Sequence, residues 1–522
     1  MKINLIKFVK KTWNSEKNFL LINSFIFISW SYYILGDYQN WGGDYAQYIT
    51  QSRNLLWDRS FAFQMEGFPS IMPLYPLALY FISALFFESI FLFSLFNTIC
   101  WLGLSLSVYL IISRFSLIQN KDISKVIYLV LLHNVYIYSY QQNITPIFLY
   151  SMLIWITLIL FINPKQSNNS YFICIILFLF LSLTGLTRTT YLSFAITIFL
   201  CGLFFSKKLL ILSSSLSLCF VFSVEKFLSI NNDQITNFSV FFDFLQRSND
   251  STKLISNFDF LLFCSNVIRL FISYFNLLIE SCLPLSSLYS LSSFNYFYSN
   301  SSGLVYIIHP LFIPFLFLFC MGSTCINRKI RFIFITYFIL HLILISFFVQ
   351  NTPIQRYVIP ILPIFIIFVI IGFFDFYFKY LKNAKAFFIT FILFLFISGI
   401  SFYEKSFRKP YKSNTLSDEL LQATSYIKPI ISQYDQVAFF KPRVLTYLLD
   451  SEKSSSLDII SIRNLSLFRN WTDSQQKRLI LLPKNLSSFG QSKIVSHISN
   501  SPNFEIIFSN DSYIAVQNKI NN

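Results

Sequence analysis

The sequence predicts a polytopic α-helical membrane protein of about 11–13 transmembrane helices, with a small extracytoplasmic α/β domain at its C-terminal end. Three observations carry this expectation. The 522 residues are 55% hydrophobic but only 12% charged, which is half the charge density of an average soluble domain. They include 65 Phe, more than a globular core could hide while keeping a polar surface. The apolar residues also gather into runs of spanning length, joined by short basic connections. A mean hydropathy of +0.57 excludes a disordered chain, a collagen-like repeat and a small disulfide scaffold.

Each element follows in order. The start, MKINLIKFVKKTWNSEK, is basic and leads into an apolar run without a small-residue cleavage site, so it reads as a retained signal anchor. Eleven spans are expected near 20–36, 90–112, 124–140, 146–162, 170–185, 190–206, 209–225, 304–322, 331–349, 357–374 and 386–402. Lys2, Lys7, Lys10, Lys11 and Lys17 place the N-terminus in the cytoplasm. Threading the spans alternately then puts Arg114, Lys121, Lys125, Lys165, Lys207 and Lys208 on that same side. Arg328, Lys329, Arg331, Lys379, Lys382 and Lys385 join them. The odd count leaves the tail outside.

Two segments sit awkwardly in this scheme. Residues 73–92 are apolar enough to span, but counting them would invert every later loop, so an outer-face or re-entrant helix is expected there. Residues 261–283 are apolar yet carry Arg269 and Glu280, and a pair of extra spans within 226–303 would raise the total to 13 with the topology intact. The chain thus divides into a transmembrane module, 1–402, and an outer domain, 403–522. The module carries a first outer loop at 37–72 and a second outer region at about 226–303. In the tail, Ser417 opens a helix with acids in its first turn, and VAFF (437–440), RLILL (478–482), FEIIF (504–508) and YIAV (513–516) read as strands.

Charge and cysteine narrow the class further. A net charge of +16 invites a nucleic-acid reading, but the Lys and Arg lie between apolar runs and form no basic stripe, so no nucleic-acid partner is expected. The eight Cys fall almost entirely within apolar runs and imply no disulfide framework. Walker, Rossmann and nucleophile-elbow motifs are absent, and the four His have no metal-ligand spacing.

The first outer loop holds the chemistry-bearing residues. Carboxylates beside a bilayer are expensive and are functional candidates by default. Asp37 and Asp44 follow the first span directly. Asp44 opens a helical pattern with Tyr45, Tyr48, Ile49, Leu55 and Leu56 on one face and Arg53 on the other; an N-cap and a catalytic group fit it equally well. Glu66 lies in a stretch bounded by Pro and Gly, where no periodicity asks for a charge. Arg188 and Arg356 fall at outer ends of spans, where snorkelling explains most arginines and phosphate binding explains some. His309 stands beside Pro310 in a span near the outer face; a lone His is more often a buried hydrogen-bonder, and His133 and His341 read the same way.

Five segments carry a resemblance. These are G-G-D-Y-A-Q-Y-I-T-Q-S-R-N-L-L (42–56), M-P-L-Y-P-L (72–77), L-T-G-L-T-R-T-T (183–190), N-T-P-I-Q-R-Y-V-I-P-I-L-P (351–363) and K-P-R-V-L-T-Y-L (441–448). Together and in this order they resemble the GT-C-fold membrane glycosyltransferases. The likeness is to bacterial members of the dolichyl-phosphate-mannose protein mannosyltransferase superfamily, which includes the aminoarabinose transferases. Met72 stands where that family has the first Pro of a pair, and Tyr45 follows Asp44 where many relatives carry a second acid.

The resemblance implies a transferase that takes sugar from a polyprenyl-phosphate donor to an acceptor hydroxyl at the outer membrane face, inverting the anomeric centre. Asp44 would be the general base, with Glu66 a supporting carboxylate. Arg188, Arg356 and Arg53 would bind the donor phosphate, though Arg53 could instead pair with Asp44 or Glu66. Asp37, Tyr45, His309 and Tyr357 are candidates for substrate contact. No cofactor is required; a divalent cation, Mg²⁺ or Mn²⁺, bridged by Asp44 and the phosphate is compatible with the chemistry.

The partners implied are the lipid-linked donor, a lipid, glycan or protein acceptor, and membrane lipids, in a bacterial inner membrane. A polysaccharide polymerase or ligase would use similar donors but generally places its large outer loop late in the chain. A transporter or flippase would show inverted repeats, and none is visible.

Overall fold

The structure is a computed structural model. It describes residues 15–35, 45–57, 72–114, 121–134, 137, 140, 143–162, 170–231, 260–282, 312–348, 355–380, 418–439, 442–449, 458–461, 477–484 and 503–518. The chain is a helical membrane bundle with a small mixed-sheet domain at its C-terminal end.

The first helix, α1 (Glu16–Ile34), is opened by Ser15, whose hydroxyl accepts from the Asn18 amide. The amphipathic α2 (Tyr45–Trp57) and the 12-residue α3 (Leu74–Leu85) follow. At 1.5 Å per residue α3 reaches only about 18 Å, well short of a bilayer core of roughly 30 Å. Residues 86–89 break the chain before α4 (Ile90–Arg114), so the segment expected not to span is indeed a short helix leading into a span.

Next come α5 (Lys121–Leu132), α6 (Ile147–Ile162), α7 (Ser170–Thr187), α8 (Tyr191–Phe204) and α9 (Lys208–Asn231). After these lie α10 (Phe260–Cys282), α11 (Phe312–Thr324), α12 (Arg328–Phe348), a 3₁₀ turn at Gln355–Val358 and α13 (Leu362–Tyr380). Among the described residues, α4, α9, α12 and α13 are long and apolar enough to cross a membrane by themselves, with shorter apolar helices packed between them. Large apolar side chains face outward, such as Phe25 at 72% exposure and Ile313 at 74%, a surface that acyl chains cover.

Two expected spans differ from what is observed. The run 124–140 ends as helix at Leu132, because Asn134 turns the chain: its Nδ2 donates to the Ser281 carbonyl (2.8 Å) and its Oδ1 accepts from the Ile137 amide (3.3 Å). The run 357–374 starts as helix only at Leu362, since Pro360 and Pro363 suit a helix entry and not its interior. The expected span 386–402 and most of the second outer region lie outside the described residues.

Close approaches fix the packing. In α7 and α9, Ser182 donates to Ser217 (3.3 Å), and a Cβ on Gly185 would sit 2.6 Å from Val221. At the α8–α9 turn Ser206 adopts φ 54°, and the Lys207 amide reaches back to the Gly202 carbonyl (2.7 Å), a Schellman-type stop. Helices α11 and α13 cross backbone to backbone: a Cβ on Gly322 would overlap the Phe368 carbonyl, and one on Gly372 the Leu318 carbonyl.

The C-terminal domain contains α14 (Asp418–Ile427), β1 (Gln436–Phe439), α15 (Pro442–Leu449), β2 (Asp458–Ser461), β3 (Arg478–Pro483), β4 (Phe504–Ser509) and β5 (Tyr513–Asn518). The sheet order is β2-β1-β3-β5-β4, parallel through β3 and antiparallel beyond it. Helix α14 packs Leu420, Ala423 and Ile427 against Val437, Phe439, Leu479 and Leu481. The sequence reading missed β2 and α15, both short and flanked by polar residues.

The glycine crossing generates a prediction. Ordinarily Gly→Ala within a helix gains up to about 1 kcal/mol. Gly372→Ala should instead destabilise by about 1–3 kcal/mol, because backbone cannot yield. Gly103→Ala, whose new Cβ meets only the flexible Met152 thioether, should be close to neutral. Thermal unfolding in one detergent compares them, and equal midpoints for the two variants would contradict the crossing.

Candidate functional site

Helix α2 is held on two sides. Tyr45, Ala46 and Ile49 enter the membrane core, yet Gln47, Thr50, Gln51, Ser52 and Asn54 are also buried. A surface helix with polar residues this well covered must have a second neighbour. That neighbour is α15, whose Val444 joins the membrane core and whose Tyr447 and Leu448 pack against it. Arg53 joins the two: Nε and Nη2 donate to the Glu88 carboxylate (2.7 and 2.6 Å), Nη1 donates to the Tyr447 carbonyl (3.0 Å), and the guanidinium lies 4.2 Å over the Tyr447 ring. Arg53, expected as a phosphate ligand or a partner of Asp44 or Glu66, contacts Glu88 and Tyr447 among the described residues, and Asp44 and Glu66 lie outside them.

From the inner face of α2 a polar and aromatic wall extends inward. Tyr48 meets Tyr75 edge-on with ring centres 5.3 Å apart. The Tyr75 hydroxyl donates to Asn97 Oδ1 (3.1 Å), and Asn97 Nδ2 donates to the Asn143 carbonyl (2.8 Å). The Asn97 amide interrupts apolar surroundings, where a polar side chain must be satisfied internally.

Two arginine-bearing turns close the site. Arg188 ends α7, and Arg356 lies in the 3₁₀ turn before α13. Both converge on Tyr357, with the Arg188 guanidinium 4.4 Å and the Arg356 guanidinium 5.6 Å from its ring centre. Among the described residues no carboxylate pairs with Arg188. Burial pushes the Tyr357 phenol up, but Arg188 and Arg356 outweigh it and hold the group below its ordinary value. Tyr45 and Tyr48 stay above theirs, because burial prevails over the pull of the same two arginines. For Arg356, burial favours loss of the proton, yet Tyr357, Tyr48 and Tyr45 more than offset it, so the guanidinium stays charged.

Of the residues singled out from sequence, Tyr45, Arg188, Arg356 and Tyr357 come together here. Asp37, Asp44, Glu66 and His309 lie outside the described residues; Asp44 immediately precedes Tyr45 in the chain. Sequence reading missed Tyr48 and Tyr75 as site residues, because an aromatic at helical spacing reads as core. It also missed Asn97, whose amide within an apolar run was a usable signal. Among the described residues no group of three or more His, Cys, Asp or Glu is arranged to hold a metal; the divalent-cation option rests on Asp44, outside them.

Such a site suits an anion carrying an apolar tail. Two fixed guanidiniums offer forked donors for phosphate oxygens, and the tyrosines supply neutral donors and apolar walls at the end of the bundle.

No family model matches the chain, and no curated protein matches it. Among solved structures it is similar to ArnT from Cupriavidus metallidurans in the apo state, with 10% sequence identity, a TM-score of 0.56, and 97% of this chain and 98% of that one covered. It is likewise similar to the same protein bound to undecaprenyl phosphate, with 10% identity, a TM-score of 0.57, and 97% and 99% covered. The likeness runs over nearly the whole of both chains, and this protein therefore has the GT-C fold of ArnT.

Proposed function

We propose that the protein is an integral-membrane glycosyltransferase of the inner membrane. It moves a sugar from a polyprenyl-phosphate donor to an acceptor hydroxyl at the extracytoplasmic face. The observation that carries this reading is the convergence of Arg188 and Arg356 on Tyr357, beside the helix that follows Asp44. The ArnT structure with undecaprenyl phosphate supports a lipid phosphate as the anion.

The chemistry follows from the charges. Asp44 takes the proton of the acceptor hydroxyl as its oxygen attacks the anomeric carbon. The bond from that carbon to the phosphate oxygen breaks, and direct displacement inverts the centre. Negative charge grows on the departing polyprenyl phosphate, where Arg188 and Arg356 stabilise it. Glu66 supports the base, and Asp37, Tyr45, His309 and Tyr357 contact substrate. The acceptor is a lipid, a glycan or a protein.

Two outcomes are expected. With purified protein in nanodiscs, Arg356→Ala and Arg188→Ala should each weaken undecaprenyl phosphate binding roughly 10-fold to 100-fold, the scale of a lost charge-assisted hydrogen bond; unchanged affinity in both would remove the clamp. With labelled polyprenyl-phosphate sugars and membrane acceptors, Asp44→Asn should lower transfer by roughly 10²–10⁴-fold while undecaprenyl phosphate still binds. Normal transfer by Asp44→Asn, with loss in Glu66→Gln or Asp37→Asn, would move the base elsewhere.

A further inference from the structure

His341 is 1% exposed in the middle of α12, among Phe, Ile and Leu side chains. Its two nitrogens are both engaged. Nε2 lies 2.9 Å from the Tyr357 carbonyl, and Nδ1 lies 3.1 Å from the Ser193 hydroxyl. The Ser193 hydroxyl is also 2.9 Å from the Thr190 carbonyl. Ser193, five residues past Arg188 on α8, is thus joined through His341 to Tyr357, the residue after Arg356.

A carbonyl only accepts, so Nε2 carries the proton and donates to Tyr357. In a neutral ring Nδ1 is then an acceptor, and the single proton of the Ser193 hydroxyl serves either it or the Thr190 carbonyl at any one time, not both. Nothing about helix packing calls for this arrangement, since Leu or Phe would fill the space at lower desolvation cost. What it achieves is to fix one backbone carbonyl of the Arg356 turn to the helix that carries the Arg188 turn.

We infer that His341 and Ser193 are positioning residues that set the spacing of the two arginine turns. Neither touches the anion; they act by joining the Tyr357 backbone carbonyl to Ser193 on α8. The effect on lipid-phosphate affinity rests on the function proposed above, whereas the structural tie does not.

The test uses the full-length protein in detergent, with hydrogen exchange followed by mass spectrometry over residues 355–361. His341→Phe keeps bulk but removes the donor; His341→Gln keeps a donor near the Nε2 position. The expected result is exchange about fivefold or more faster in His341→Phe, the scale of one lost hydrogen bond, with His341→Gln near wild type and unfolding midpoints similar throughout. Ser193→Ala should loosen the same segment to a smaller degree. Wild-type exchange in His341→Phe would overturn the inference, and so would equal loosening in both His341 variants, which would reduce the residue to a space-filler. In parallel, undecaprenyl phosphate should bind His341→Phe about threefold to tenfold more weakly than wild type, with His341→Gln restored. A wild type that binds no undecaprenyl phosphate would sink the proposed function, while the exchange result still decides the tie.

Discussion

The structure is organised around two like charges that must be kept close together. Arg188 and Arg356 stack on the same Tyr357 ring, so their guanidiniums lie no more than about 10 Å apart. At an effective dielectric near 20, that separation implies a repulsion of at least roughly 1.5 kcal/mol. A flexible chain would relieve it by swinging one arginine away. Here each sits on a short turn whose backbone is tied to the bundle: Arg188 by α7 and the start of α8, Arg356 in the 3₁₀ turn that leads into α13. The ring between them takes part of the charge through its π face and lowered phenol.

Helix α2 depends on that arrangement from one side and on the C-terminal domain from the other. Its Tyr45 and Tyr48 face the arginines, while Arg53, about two turns further along, grips Glu88 and Tyr447. Arg53 is 12% exposed and Glu88 28%, so the pair is less screened than a surface bridge and is forked on both oxygens. The C-terminal domain thus braces the helix that directly follows Asp44 in the chain, where that helix meets the bundle.

Much of this was legible in the sequence, for physical reasons that separate the successes from the misses. The membrane class follows from composition, and the short α3 from the charge alternation that a span there would invert. Arg188 and Arg356 could be singled out because a charge at a span end is conspicuous against apolar neighbours, whereas Tyr45 and Tyr357 were reached only through the resemblance of segments 42–56 and 351–363. The contacts of Arg53 with Glu88 and Tyr447 were not legible, since those residues stand 35 and 394 positions away, a separation no local pattern encodes. His341 was dismissed for the opposite reason: a lone imidazole in an apolar run looks like any satisfied core His until the Tyr357 carbonyl is seen at its Nε2. The early end of α5 was invisible because hydropathy continues past Leu132, and only the Asn134 bonds to Ser281 and Ile137 stop the helix.

The choice of neutral supports around the arginines bears on affinity. Carboxylates would have held Arg188 more simply, at the price of cancelling its charge before any ligand arrived. The described supports are instead a ring face, phenols, an imidazole and backbone carbonyls. These fix geometry, and among the described residues no carboxylate cancels the charge of Arg188. The repulsion between the guanidiniums then works for the ligand, because a phosphate placed between them relieves it on binding while no side-chain ordering remains to oppose it. A site built this way favours anions with two or more oxygens at fork spacing, and it favours them most where water is scarce.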